Sequence, residues 1–431
     1  MTTAVILVFI VGYLFIALEN VTLISKTAIA LLISVICWTL LFLGFGASAD
    51  VLTKTLGETS EILFFLLGAM VIVEVVDTNG GFDFVRDRLR SKTKRGLLWK
   101  LVFMTFFLSA VLDNMTTAIV MIMVLNKLIE DRRDKLLYSS IVILAANSGG
   151  AFSPIGDVTT IMLWVKGYIS TSGVIKALLI PSLVSVIVPA FIWGRTLRGE
   201  LTMAERPADC CKDKTNQDVT PAERWTVFVV GVGGLLFVPV FRFLTGLPPF
   251  MGILLILSLL WIITEFMFKQ DKYKDIPQHR LPDVSDLLHK IDISTILFFL
   301  GILTAVSALS ETGALKRLGV LLDVTFDGNP YIVTTIIGFF SAVVDNVPLV
   351  ASCMGMYDLT TYGMDNSFWL LLAYCAGIGG SMLIIGSAAG VVVMGLQNIP
   401  FGWYLRHFSW IACIGYLSGI LAFWLQELLL F

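Results

Sequence analysis

Charge is scarce in this chain: Asp, Glu, Lys and Arg make up only 14% of its 431 residues, against 57% hydrophobic. A soluble domain carries roughly a quarter of its residues charged, so the deficit excludes a water-soluble globular protein. Histidine is nearly missing as well, with His279, His289 and His407 lying near the ends of apolar segments, where they read as solvated loop residues rather than pH sensors. The six cysteines include no Cys-x-x-Cys pair and no metal-ligand spacing, and the adjacent Cys210-Cys211 sits in a charged loop, so neither a zinc site nor a disulfide framework is expected. No basic surface suggests nucleic acid, which is therefore not an expected partner. The first 18 residues are apolar from residue 4 and lack both a basic leader and an Ala-x-Ala site, so they read as a retained helix rather than a signal peptide.

What the chain has instead is apolar length. Its mean hydropathy is +0.88, and many segments run for about 20 residues without a charge, the length that crosses a bilayer. The fold class expected is an all-α polytopic membrane protein with the lipid bilayer as its partner. Lys and Arg gather at residues 86–100, 127–135, 195–224 and 269–290, which the positive-inside rule makes cytoplasmic. The last two clusters enclose two crossings, near 225–243 and 249–268. The first two enclose only Leu101 to Asn126, which is too short for two crossings and wrongly placed for one. A re-entrant hairpin that enters and leaves on the cytoplasmic side satisfies both clusters, with Asp113-Asn114-Met115-Thr116-Thr117 at its tip; the bland alternative is one tilted helix with a stray Asp.

The same motif occurs twice: Ser109-Ala110-Val111-Leu112-Asp113-Asn114 returns as Ser341-Ala342-Val343-Val344-Asp345-Asn346. An Asp at the centre of a membrane helix is unfavourable by about 2.5–3.5 kcal/mol, so two copies at matching places point to an ion or proton pathway. The apolar run from Leu136 to Val165 is interrupted between Asn147 and Asp157 by glycines, Pro154 and polar residues, and an unwound stretch joining two half-helices is expected there. Gly377 to Ser387 echoes that run, as Ile296 to Leu300 echoes Ile62 to Leu66. Helices expected at 59–81 and 291–312 meet the cytoplasmic clusters from opposite ends, so the halves read as inverted-topology repeats: 1–198, a cytoplasmic linker at 199–224, and 225–431. The expected total is ten crossings and two re-entrant hairpins, with both termini outside.

Inverted repeats of this kind bring Asp113, Asp157 and Asp345 towards one place near the midplane. The carboxylates, the amides of Asn114, Asn147 and Asn346, and the hydroxyls of Thr116, Thr117, Thr159, Thr160, Ser381 and Ser387 then supply the oxygen ligands that hard cations take. Clustered aspartates repel an anion such as a dicarboxylate, and no Arg or Lys stands in these segments to receive one. A carboxylate in low dielectric also takes up protons, so one site holds either ion and alternating access makes the exchange obligatory. Glu74 is a further intramembrane acid, but it has no counterpart in the second half.

The two Asp-Asn tips, together with Asn147-Ser148-Gly149-Gly150-Ala151-Phe152-Ser153-Pro154-Ile155-Gly156-Asp157-Val158-Thr159-Thr160, resemble the NhaD-type sodium/proton antiporters of the ion-transporter superfamily over nearly the whole chain. The resemblance implies export of Na⁺ or Li⁺ against H⁺ across a bacterial inner membrane by a multi-pass transporter that is no enzyme and uses no cofactor. It further implies a transport domain sliding against a dimerisation scaffold, with a homodimer the corresponding assembly. The family's polar positions carry onto Asp113, Asn147, Asp157, Thr159, Thr160, Ser341, Asp345 and Asn346. The rival readings are a permease of the same superfamily for arsenite or another small solute and, from a different class, an intramembrane aspartyl protease. The protease reading lacks its Gly-x-Gly-Asp segment, since Pro154 takes the first glycine's place.

Overall fold

A computed structural model describes residues 2–17, 24–45, 49–81, 88–89, 91, 93–129, 131–197, 199, 220–268, 287–343 and 345–430. Most of the basic clusters at 195–224 and 269–290 therefore lie outside the described residues, as do Cys210, Cys211, His279 and Val344. Among the described residues the chain forms 18 α-helices and no strand, as its composition demands of backbone that has to satisfy itself in hydrocarbon. The first half contains α1 (Thr2–Ala17), α2 (Lys26–Phe45), α3 (Ala49–Thr78), α4 (Lys94–Ser109), α5 (Asn114–Leu128), α6 (Arg132–Ala151), α7 (Val158–Val165) and α8 (Thr171–Thr196). Then follow α9 (Pro221–Thr245), α10 (Pro249–Phe268), α11 (Ile293–Glu311), α12 (Ala314–Phe326), α13 (Pro330–Ser341) and α14 (Asn346–Met356). The chain ends with α15 (Ser367–Gly379), α16 (Ala388–Gln397), α17 (Phe401–His407) and α18 (Ser409–Leu430).

Seven of these helices are long and apolar enough to cross a membrane: α2, α3, α8, α9, α10, α11 and α18. The two crossings expected near 225–243 and 249–268 are α9 and α10. The helix expected at 59–81 is longer than its apolar run, because α3 starts ten residues earlier, at Ala49, on exposed polar turns. Large apolar side chains on α9 and α10, among them Leu236, Phe243, Leu244 and Phe266, stand exposed on the protein surface, as lipid-facing residues do.

Where the sequence anticipates an interrupted helix, the break is shorter than expected. α6 stays helical through Asn147, Ser148, Gly149 and Gly150 to Ala151, and only Phe152 to Asp157 leaves the helix. The glycines are there for contact: a Cβ on Gly149 would stand 2.1 Å from the Phe106 carbonyl oxygen of α4. The break falls at Pro154, which cannot supply the N–H that a continuing helix needs.

The second half repeats this arrangement. A Cβ on Gly379 would stand 2.3 Å from the Gly338 carbonyl oxygen, and those on Gly156 and Gly386 would each stand 2.5 Å from a carbonyl, of Ser109 and Ala342 respectively. Ser109 Oγ donates to Ala146 O at 2.6 Å, and Ser341 Oγ donates to Ala376 O at 2.7 Å. Residues at matching places in the sequence therefore make matching contacts.

Polar pairs join the helices laterally. α2 lies along α11 through Thr27 Oγ1 and Ser294 Oγ (2.9 Å), Ser34 Oγ and Thr304 Oγ1 (2.6 Å), and Trp38 Nε1 donating to Thr304 O (3.0 Å). Such bonds hold where lipid tails leave no hydrophobic drive between helices.

Candidate cation site

Four helix starts define the site, and each is made by the residue that the sequence offers as a ligand. Asp113 caps α5, its Oδ1 accepting from Thr116 N at 2.7 Å, and Asp157 caps α7, its Oδ1 accepting from Thr159 N at 3.1 Å. Asp345 caps α14 through Val347 N at 3.3 Å, and Ser387 caps α16 through Gly390 N at 3.1 Å. Short side chains with an oxygen acceptor end the preceding turn and satisfy the first free N–H groups of the next helix. Each helix start also carries about half a positive charge, which carboxylates offset.

The centre is Asp157. Its side chain is buried, with 1% of the residue exposed, and it receives amides from both halves of the chain. Asn114 Nδ2 donates to Asp157 Oδ2 at 3.2 Å, and Asn346 Nδ2 lies 3.4 Å from the same oxygen and 3.5 Å from Oδ1. Asn114 Nδ2 also reaches Asn147 Oδ1 at 3.0 Å. From there the network crosses into the second half again, because Asn147 Nδ2 donates to Ser381 Oγ at 2.8 Å and to Ser387 Oγ at 2.9 Å. Six of the sequence-derived candidates (Asn114, Asn147, Asp157, Asn346, Ser381 and Ser387) thus form one continuous buried network.

The other candidates take separate places. Asp113 and Asp345 are partly exposed and flank the centre, near enough for their charges to act on Asp157. Among the described residues no three of His, Cys, Asp and Glu gather as one ligand group. Each aspartate caps its own helix, and the charges of Asp113 and Asp345 reach Asp157 from either side. Thr116 Oγ1 is held by Asp113 Oδ2 at 2.5 Å, Thr160 Oγ1 returns to Asp157 O at 2.8 Å, and Ser341 Oγ is used by Ala376 O. The Thr117 hydroxyl is buried without a hydrogen-bond partner among the described residues. Thr159 contributes its amide.

A cavity walled by apolar side chains of α3, α9 and α11, including Met70, Val73, Leu235 and Phe299, reaches the site at Asp113 and Asn114. Glu74 is only half-buried on α3 and accepts from Thr78 Oγ1 at 3.3 Å, within its own helix. His289 and His407 are exposed.

One residue near the site gave no signal in the sequence. Lys26, at the start of α2, places its Nζ 3.6 Å from Asp345 Oδ2. A lysine at the end of an apolar helix reads as an interfacial anchor, and only the packing of α2 on α11 brings it to the start of α14.

Residues 13–362 match the family described as "Citrate transporter". The chain is 44% identical over 429 residues to a protein named "Sodium/proton antiporter 1" from Arabidopsis thaliana, covering 97% of this chain and 72% of that one. It is 43% identical over 421 residues to "Sodium/proton antiporter 2" of the same plant, covering 97% and 98%. A "Na(+)/H(+) antiporter NhaD" from Alkalimonas amylolytica is 30% identical over 387 residues, covering 84% of this chain and 76% of that one.

Proposed function

This chain belongs to the citrate transporter family, with the NhaD-type sodium/proton antiporters among its relatives, and on that premise we propose that Asp157 is the carboxylate on which Na⁺ and H⁺ compete. The protein is a multi-pass membrane transporter that exchanges sodium for protons, and these ions are its substrates rather than cofactors. The observation that carries the site assignment is the buried Asp157 carboxylate held between Asn114 of one half and Asn346 of the other.

The exchange follows from the chemistry of that carboxylate. Protonated, it is neutral and tolerates its buried place; ionised, it needs a positive partner. The amide groups of Asn114 and Asn346 are two-fold about their last torsion. With their nitrogens towards Asp157 they stabilise the carboxylate, and turned over they present oxygens to a cation. Asn147, Ser381, Ser387 and Thr117 add neutral oxygens. Asp113 and Asp345 supply negative charge on either side, which favours Na⁺ over any anion. Citrate would meet three carboxylates here. A proteolytic dyad needs two carboxylates sharing one proton, whereas the oxygens of Asp157 face amide N–H groups.

The same reading extends to Li⁺ as a second substrate, and to the units 1–198, 199–224 and 225–431 as two inverted repeats joined by a cytoplasmic linker. In it α1 and the interrupted pairs α6–α7 and α15–α16 also cross the membrane, while α4–α5 and α13–α14 form the re-entrant hairpins. The matching contacts of Gly149 and Gly379 support the repeat. A homodimer through a static scaffold and a bacterial inner membrane belong to the same proposal, the latter on the strength of the NhaD relatives; the plant relatives have the higher identity. The test is fluorescence dequenching in everted vesicles across pH with Na⁺, Li⁺ and K⁺ in turn. Proton release driven by Na⁺ and Li⁺ is expected. Release driven by citrate or arsenite, with none from Na⁺, would overturn the assignment.

A further inference from the structure

We propose that Lys26 is an internal substitute for the transported cation: its ammonium neutralises Asp345 while no metal ion is bound and has to be displaced for Na⁺ to occupy that side of the site. The inference rests on the reading of Asp345 as part of the cation site. Four observations carry it.

The ammonium lies 3.6 Å from Asp345 Oδ2, and the two side chains are only 26% and 15% exposed, so the pair is largely withdrawn from solvent. The same Nζ lies 4.7 Å from the centroid of the Phe298 ring on α11, a side chain that is itself buried. A cation over an aromatic face keeps part of its stabilisation after leaving water, so Lys26 has a resting place when it yields the carboxylate. Tyr13 of α1 sits near enough to Asp345 to interact with its charge, and among the described residues its buried hydroxyl has no hydrogen-bond partner. That leaves a second polar atom at this end of the site with its bonding unspent.

The fourth observation is the inequality of the two hairpin tips. Asp113 and Asp345 occupy corresponding positions, each capping its helix, yet among the described residues Asp113 has no ion-pair partner. Lys26 and Tyr13 come from α1 and α2, which precede the first of the matching elements. The N-terminal helices therefore act on one tip only, and a cation arriving from the Asp113 side meets an unpaired carboxylate while one at Asp345 meets an occupied one. Two positive charges on a single carboxylate repel each other, so removing the ammonium strengthens Na⁺ binding rather than weakening it.

The test is a sodium titration of exchange in everted vesicles at alkaline pH, where protons compete least, for wild type, Lys26→Met, Lys26→Gln, Lys26→Arg and Asp345→Asn, with membrane abundance of each measured by immunoblot. Lys26→Met keeps the aliphatic stem against Phe298, and Lys26→Gln is a second neutral variant should the first accumulate poorly. The neutral variants are expected to lower the half-saturating Na⁺ concentration about three-fold, the factor typical of one partly exposed ion pair, with the maximal rate little changed. Lys26→Arg should behave as wild type. An unchanged or raised half-saturation in both neutral variants, or a loss of maximal rate alone, would overturn the proposal and make Lys26 a mechanical tether of the hairpin. Wild-type titration of Asp345→Asn would instead remove Asp345 from the site, a failure of the underlying reading distinct from that of Lys26.

Discussion

Asp157→Asn changes the volume of the central side chain hardly at all and removes its charge. Asparagine is as good a helix cap as aspartate, so the bond from Thr159 N to the oxygen at 3.1 Å survives. The new nitrogen faces Asn114 Nδ2, which is 3.2 Å from Asp157 Oδ2 in the native chain, and Asn346 Nδ2 at 3.4 Å. Donor then meets donor, and both amides have to turn over. Whatever remains unpaired costs about 1–3 kcal/mol, a loss the fold survives. The effect on the cation is larger. At an effective dielectric of about 20, a unit charge roughly 4 Å away contributes about 4 kcal/mol, close to a thousand-fold in affinity. The proton-carrying group disappears altogether. Everted vesicles containing Asp157→Asn should show no Na⁺-driven dequenching at normal membrane abundance, whereas Asp157→Glu keeps a charge, one methylene out of place, and should retain partial exchange. Exchange by Asp157→Asn with half-saturating Na⁺ within about ten-fold of wild type would refute the assignment, because the worked difference is about a hundred times larger than that.

Other substitutions probe the surroundings. Asp113→Asn should abolish cation-coupled proton movement in the same assay while the protein inserts normally, since the amide can still cap α5. Asn147→Ala removes the bonds to Asn114, Ser381 and Ser387 at once, and should lower the thermal stability of detergent-purified protein by about 1–3 kcal/mol per group left unsatisfied as well as raise half-saturating Na⁺. Gly149→Ala would drive a methyl into the Phe106 carbonyl, 2.1 Å away, costing about 3 kcal/mol or more; membrane accumulation should fall, whereas Gly233→Ala, whose Cβ meets nothing within 4 Å, should accumulate as wild type. Asp358, in the exposed turn after α14, is held down to about 2 by the Thr360 hydroxyl first and then by the amide and hydroxyl of Thr361. Its folded value lies below the ordinary 3.8, so its contribution is complete above that value and fades as pH falls towards about 2. Asp358→Asn should flatten the acid dependence of unfolding in that window and leave exchange at neutral pH unchanged.

The membrane class, most of the helices and their breaks could be read from residue order, because each depends on neighbours a few positions away or on transfer from water to lipid. The apolar runs that become α9 and α10 and the stop at Pro154 are of this kind. The Asp-Asn pairs likewise announced themselves, since a charge in hydrocarbon is expensive wherever the chain carries it. What belonged to the tertiary structure was the relation among these parts. Asn147 to Ala151 stay helical against local expectation because Gly149 lets α6 lie directly on the α4 backbone. Asn114 and Asn346 meet across Asp157, and Asn147 reaches Ser381 and Ser387, only because the two halves interlock. Lys26 reaches Asp345 only because α2 packs along α11. Helix formation and membrane insertion are settled within a few turns of chain, so composition and spacing reveal them; which side chains share a buried volume is set by how separate helices pack, and no local pattern encodes it.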